Sequence, residues 1–434
     1  MKHIYVIMWS AFALLLGIMA CENRVHEEEY GLSVALDNSL CVDVPIGKIQ
    51  ICIYGINGEL VASSHYADAK TLASIMLPLE AGHYTIAVVI NTDAEITETA
   101  TLIGLHEWLE TETHQNEHLL SGMAEFDMAT EGITRIVVPI RQGEFTLPML
   151  RLLLTLPKPK LPDYTNTRTS VSGYVLRCVI ELCKTGTDKV LLHKSVSPQP
   201  QTDGTYLVEL AAAKGIYDLH LWTDYAHINT PLDDSYYCTE KLKAVTISTA
   251  PYTANTDTKD ASYYSHPEIT LGNEANKLFI QLHRPLAKYR LLATDVEAYQ
   301  ILEKDHPEKY PPLEGLTVTL QYEGFFPSCF NVATGSPSDA IGGISYSQAL
   351  VHTANTEMQV ASDWVLVDDK GSFVSATLTV TDRKGNIISR TSGVRIDYRQ
   401  GYLTTLRGKF LTAGIGGGGI QIETEWDGEY VIEF

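Results

Sequence analysis

The stretch KIQICIYGINGELVASS, residues 48–64, decides the fold class. Two runs rich in alternating apolar and β-branched side chains flank Asn57-Gly58, a dipeptide that favours a tight turn, and the pattern predicts two antiparallel strands joined as a hairpin. The same grammar recurs along the chain. Strand-like runs appear in HYTIAVVIN (83–91), ITRIVVPI (133–140), YVLRCVIEL (174–182), IYDLHLWTDY (216–225), KLFIQLHR (277–284), LTVTLQY (316–322), ATLTVTDRKGNIISR (376–390) and GEYVIEF (428–434). Strand, turn and strand at this spacing predict an all-β chain of tandem antiparallel β-sandwiches rather than a parallel sheet. Helical candidates are few and short, chiefly Ala67 to Ile75 and Ala293 to Glu303.

One pattern repeats. LEAGHYTIAVVINTD (79–93) and AAKGIYDLHLWTD (212–224) share a glycine, a tyrosine two residues later, an extended run and a Thr-Asp close. Gly82 and Gly215 should each turn the chain into a strand whose Tyr84 or Tyr217 packs inward. A repeat of this kind implies related sandwiches, with a boundary near PKPKLPDYTNTRTS (157–170), whose prolines and polar residues read as a linker, and a second after Arg284-Pro285. The expected division is therefore 31–150, 151–285 and 286–434.

The N-terminus carries a different signal. Lys2 and His3 precede an apolar run from Ile4 to Leu16 that ends at Gly17-Ile18-Met19-Ala20-Cys21. This is the layout of a secretory signal peptide over residues 1–20, too short for a membrane span, which needs about 20 apolar residues. Ile18-Met19-Ala20-Cys21 resembles the bacterial lipobox, which implies acylation of the Cys21 sulfur, with palmitate among the expected chains, and cleavage before it. Several acyl chains on one residue give stable anchoring, since each buried methylene contributes about 0.8 kcal/mol. Residues 21–30, with Glu22 and Glu27-Glu28-Glu29, read as an acidic tether. The net charge of −21, from 32 basic and 53 acidic residues among 434, argues against nucleic acid or anionic lipid surfaces as partners.

The chemistry-bearing motifs are weak. Six cysteines besides Cys21 are sparsely spaced and form no CxxC pair, which supports neither a zinc site nor a disulfide scaffold. Cys178 and Cys183 lie about 17 Å apart at strand rise, too far to bond each other. Cys41 and Cys52 would face each other across a hairpin centred on Ile46-Gly47, where a bridge is conceivable, and buried free thiols are the main expectation. His114 to His118 matches the inverted zinc-peptidase motif H-x-x-E-H with Glu117 as base and His106 nearby, yet its surroundings lack the apolar helical face such a site needs. Gly414, Gly416 and Gly419 match a dinucleotide fingerprint with no room for the helix and acidic residue that should follow. No catalytic residue, cofactor or metal is expected. Trp108 and Trp364 fall in loop-like segments where they could stack on a sugar, whereas Trp222 reads as core; Trp9 leaves with the signal peptide and Trp426 sits close to the last strand.

Taken in order, these segments resemble the fimbrillin-like lipoproteins of gut and oral anaerobic bacteria. IQICIYGINGELV, LPLEAGHYTIAVVIN, SGMAEFDM and ITRIVVPIRQGE are similar to the N-terminal domain of fimbrial anchor or minor-subunit proteins. GIYDLHLWTDYA, DDSYYCTEKLKAVTI, YTANTDTKDASYY, LHRPLAKYRLLATDV and FFPSCFNVATGSPSDAIGGISY, then YRQGYLTTLRGKFLT and the C-terminal strand, resemble a fimbrillin-like domain pair. The resemblance implies transthyretin-like or immunoglobulin-like sandwiches and a lipid-anchored protein of the outer membrane or cell surface. It would act as anchor, tip or accessory subunit of a pilus, or as an adhesin. Its partners would be other pilus subunits, engaged by strand donation, or a surface receptor. Trp222, Asp224 and Tyr225, and Arg284, Pro285, Lys288 and Asp295, match the family pattern in structural roles. Shaft subunits of this class are cut after a basic residue, for which Arg24, Arg135, Arg141 and Arg151 are all candidates. A surface glycan-binding lipoprotein is the alternative from a different class.

Overall fold

The computed structural model describes residues 31–41, 43–73, 76–96, 100–157, 173–254, 256–354, 356–414 and 432–433. The signal peptide with Trp9, Cys21, Arg24, the tether, most of the 157–170 linker, Gly416, Gly419 and Trp426 lie outside them. The chain divides into two compact units, residues 1–147 and 148–434.

The first unit follows the alternation of its sequence. Its strands are β1 (Gly31–Asp37), β2 (Ile49–Gly55), β3 (Leu60–Tyr66), β4 (Gly82–Ile90), β5 (Leu120–Met128) and β6 (Ile133–Gln142), in the order β1-β6-β5-β4-β2-β3. Helices α1 (Ala69–Ala73) and α2 (Leu102–Thr113) lie between them. Ile49, Ile51 and Ile53 of β2 project into one core with Ile86, Val88 and Ile90 of β4 and with Leu32 and Val34 of β1. The other face of β2 is buried too, and its Gln50 donates to the Ala94 carbonyl and accepts from the Ile96 N–H. β5 and β6 pair only between Leu120–Gly122 and Ile140–Gln142, so β6 leaves β5 and carries β1 over the core. Gly122 sits at that crossing, where a Cβ would stand 2.3 Å from the Pro139 carbonyl oxygen.

The expected hairpin forms with a different turn. The Gly58 N–H donates to the Gly55 carbonyl, Gly58 takes φ +70° and Asn57 does not enter the left-handed region. A two-residue type I′ turn needs positive φ at both central residues, so the loop is the longer form closed by a glycine bulge. The register slips at Ile53/Tyr54 accordingly.

The second unit holds β7 (Met149–Thr155), β8 (Tyr174–Lys184), β9 (Val190–Val196), β10 (Gln199–Pro200), β11 (Tyr206–Ala211), β12 (Gly215–His227), β13 (Tyr237–Cys238), β14 (Val245–Ile247), β15 (Ser262–Leu271) and β16 (Asn276–Gln281). It continues with β17 (Leu286–Ala293), α3 (Val296–Asp305), β18 (Thr317–Glu323), β19 (Phe325–Asn331), β20 (Ser336–Gly342), β21 (Ser345–Ala349), β22 (Val351–Ala354), β23 (Glu357–Leu366), β24 (Ser372–Thr381), β25 (Ile387–Tyr398), β26 (Tyr402–Gly408) and β27 (Ile432–Glu433). Two sheets, β10-β11-β7-β16 and β15-β12-β8-β9, form its first half. Sheets β22-β23-β17-β26-β27 and β21-β18-β24-β25 form its second half around one shared core. A small sheet, β13-β14-β19-β20, runs from one half into the other. The terminal strand, expected over EYVIEF, pairs through Ile432 and Glu433 with Leu403 and Tyr402.

The pairing is antiparallel except where each of these assemblies closes. β1 runs parallel to β6, β7 to β16 and β17 to β26, each time joining an early strand to a late one. Periodicity reports which residues face inward and is blind to the direction of a distant partner, so alternation could not foretell this closure.

The glycine–tyrosine repeat has a shared geometry. Tyr84 donates its hydroxyl to the Glu80 carbonyl at 3.1 Å, and Tyr217 donates to the Ala213 carbonyl at 3.0 Å. Each ring folds back over the turn that precedes its strand, as in a tyrosine corner. Tyr217 is wholly buried and Tyr84 half-buried. Tyr217→Phe should therefore lower unfolding stability by about 1–3 kcal/mol, because buried carbonyls lose a donor. Tyr84→Phe, whose bond water can replace, should cost less in the same urea titration.

Candidate functional site

Four of the residues that match the family pattern, Trp222, Asp224, Arg284 and Lys288, lie on one feature, a seam of buried charge in the second unit, while Tyr225 is buried with the core. A charge taken out of water must be paired and hydrogen-bonded. Each partner here sits on a separate element, so the seam ties those elements together.

Arg177 on β8 and Asp224 on β12 face each other across an antiparallel pair. The guanidinium donates from Nε to Asp224 Oδ1 at 2.9 Å and from Nη2 to Oδ2 at 2.7 Å, the bidentate fork that suits a carboxylate. Trp222 Nε1 adds a third donor to Asp224 at 3.0 Å, and Arg177 Nη1 reaches Asp234 at 2.8 Å. Burial alone would lower the Arg177 pKa, but hydrogen bonds and charge from Asp224, then from Asp234, carry it above its ordinary value. Burial raises the Asp224 pKa, against which the hydrogen bonds and charge of Arg177 and the Trp222 N–H work to keep the carboxylate charged. Trp222 and Phe330 then pack with Leu286, Trp364 and Leu366 in an apolar layer beside these charges.

The next stretch adds two more ion pairs. Arg284 donates to both oxygens of Asp260 at 2.9 Å. Lys288 on β17 donates to Asp257 at 2.7 Å and lies 4.9 Å from the Trp364 ring, its cross-strand neighbour. The Pro285 carbonyl accepts from the Val367 N–H. Asp295, at the start of α3, caps the chain at the far side, accepting from the Leu411 and Thr412 N–H groups and from the Thr412 hydroxyl.

At the centre, Lys259 Nζ lies 2.9 Å from Asp363 Oδ1, with the side chains 5% and 0% exposed. The hydroxyls of Tyr252 and Tyr322 donate to the other oxygen, Oδ2, and Tyr322 is bonded in turn to Tyr289 at 2.6 Å. Burial first, and the Asp363 charge second, push both donor tyrosines well above their ordinary pKa, so both stay protonated. Lys259, Asp363, Asp260, Asp257 and Arg177 are not among the residues the sequence pattern singles out. Their signals are a run of charges in DTKDAS (257–262), an arginine inside the apolar run YVLRCVIEL (174–182) and a lone aspartate inside the apolar strand ASDWVL (361–366), each unaccounted for by alternation.

Other expectations change. Trp108 lies on α2, not in a loop, and is half-buried. Trp364 lies on β23, 5% exposed beneath Lys288, and so offers no face to a sugar. Trp222 is core, as expected. The Ile46-Gly47 hairpin does not form, because the Gly47 N–H donates to Asn91 Oδ1 and β2 pairs with β3 and β4. Cys41 and Cys52 are free buried thiols, the latter pushed up by burial to about 11. Cys178 and Cys183 are likewise buried and free on β8.

Helix α2 stands where no helix is expected, although Leu102, Ile103, Leu105, His106 and Leu109 lie on one buried face and Thr101 accepts from the Gly104 N–H as its N-cap. It ends at His114, so Glu117 and His118 fall beyond it, while His106 packs edge-on against Phe145. Among the described residues no group of three or more His, Cys, Asp or Glu could hold a metal ion, and no helix is long and apolar enough to cross a membrane.

A family model described as a family of unknown function (DUF6562) matches residues 146–434. The chain belongs to that family. The matched span is the unit that contains the seam. Comparison with curated protein sequences gives no match. Among solved structures, the chain is similar to a candidate adhesin from Bacteroides ovatus at 11% identity and TM-score 0.37, over 63% of this chain and 91% of that one. It is similar to the fimbrial anchor protein Mfa2 from Porphyromonas gingivalis at 12% identity and TM-score 0.33, over 60% and 91%. It is similar also to the tip fimbrial protein Mfa3 from the same organism at 11% identity and TM-score 0.31, over 62% and 97%.

Breaking the seam on one side should be expensive. Asp224→Ala leaves Arg177 buried without its main partner and should cost about 3–5 kcal/mol in urea unfolding followed by tryptophan fluorescence. A paired replacement, Arg177→Met with Asp224→Leu, should recover most of that loss.

Proposed function

We propose that this DUF6562 protein is a lipid-anchored, fimbrillin-like protein of the outer membrane or cell surface, serving as anchor, tip or accessory subunit of a pilus or as an adhesin. In this reading residues 1–20 leave as a signal peptide and Cys21 is acylated. Residues 21–30 form a tether, and sandwiches over 31–150, 151–285 and 286–434 follow it. The observation that carries the reading is the lipobox Ile18-Met19-Ala20-Cys21 ahead of a chain of β-sheet assemblies closed in the same parallel manner. The ordered resemblance of segments across the chain to fimbrillin-like lipoproteins supports it.

Three of the four basic residues at which a shaft subunit could be cut are poorly placed for cleavage, and the fourth, Arg24, lies outside the described residues. Arg135 and Arg141 lie inside the β6 ladder and Arg151 lies inside β7, paired with Glu209. A protease needs extended, unpaired chain, which none of the three offers. A partner strand would engage an exposed sheet edge, where unpaired N–H and C=O groups and alternating pockets provide affinity and register. The glycan-binding alternative loses one of its two candidate platforms with Trp364 buried, while Trp108 is half-buried on α2.

Metabolic acyl labelling of the wild type and of Cys21→Ala tests the anchor. Label on the wild type alone is expected, with the variant released from the membrane fraction. Absence of label from both would overturn it.

A further inference from the structure

We propose that Lys259 and Asp363 condense to an amide, an intramolecular cross-link that covalently locks the seam. The geometry places a nucleophile, an electrophile, a proton relay and an oxyanion donor around one buried carboxylate. Lys259 Nζ sits 2.9 Å from Asp363 Oδ1 with both side chains excluded from water. It also donates to the Tyr252 hydroxyl at 3.0 Å, and that hydroxyl donates to Asp363 Oδ2. A continuous path therefore leads from the amine to the oxygen that must depart. Tyr322 steadies the same oxygen at 2.9 Å, and the Trp364 backbone N–H donates to Oδ1 at 2.8 Å.

The step balances without any co-reactant. The Nζ lone pair forms a bond to Cγ after a proton has passed from Nζ through Tyr252 to Oδ2. The charge that develops on Oδ1 falls on the Trp364 N–H. A second proton follows from Nζ, the Cγ–Oδ2 bond breaks, and Oδ2 departs as water. One hydrogen stays on the new amide nitrogen, Oδ1 becomes its carbonyl oxygen, and the neutral ion pair has become a neutral amide plus one water. Holding the groups in contact in a dry pocket supplies the proximity that condensation in water lacks. The two residues stand 104 positions apart, so the bond would close a long loop and constrain the unfolded chain.

This cross-link is independent of the surface role proposed above. Its test is the intact mass of the purified full chain under denaturing conditions, wild type against Lys259→Arg from the same host, so that any N-terminal processing cancels. After allowance for the substitution, the wild type should be lighter by one water, and its tryptic digest should contain a branched peptide joining the Lys259 and Asp363 segments. Tyr252→Phe should leave a fraction of chains at the heavier mass. Equal corrected masses, with Lys259 cleaved normally by trypsin and no branched peptide, would overturn the proposal. The wild-type digest decides the matter by itself, however the variants fold.

Discussion

Burial of charge along the seam is the constraint on which the second unit depends. Arg177, Asp224, Lys259, Asp363, Arg284 and Asp260 are almost entirely removed from water, and each would be prohibitively costly alone. Pairing offsets that cost only where every partner is in place at once. Arg177 waits on β12, Arg284 on the turn before β15, and Lys259 on β23. The seam thus ties the sheet assemblies of the second unit, beside an apolar cluster that both halves share, into one interdependent body. A hydrophobic interface would tolerate sliding; bidentate Arg–Asp forks and a four-donor aspartate do not.

Much of the fold could be read from the sequence because alternation is local. The runs at 83–91, 174–182, 216–225 and 376–390 became β4, β8, β12 and the β24–β25 hairpin, and the glycine–tyrosine repeat became two matching tyrosine corners. Helix α2 was legible too, in the spacing of Leu102, Leu105 and Leu109 behind Thr101, but short apolar runs in an all-β context read equally as strand. The parallel closures and the turn at Gly55–Gly58 depend on distant pairing and on backbone twist, which residue type reports poorly.

The site divides in the same way. Trp222 as a core residue, and Arg284, Lys288 and Asp295 as structural residues, were legible through the family pattern. Their partners were not, since Asp260 reaches Arg284 across 24 positions and Asp363 reaches Lys259 across 104. No local periodicity joins residues so far apart. What the sequence did carry was an anomaly, polar residues at positions that alternation reserves for apolar ones. Asp224 in β12 and Asp363 in β23 are such positions, and both became the hubs of the seam.

In the proposed surface role the protein is held at one end and loaded at the other, and it gains from a body that opens as a whole. Residues 148–434 behave in this way because of the buried charges. Native-state hydrogen exchange on the full chain tests this most directly, by comparing the amides of β8 and β12 with those of β17 and β23. The interdependent seam predicts one common opening free energy for the four strands. Exchange of β8 and β12 at a distinctly lower free energy, with β17 and β23 still protected, would contradict it.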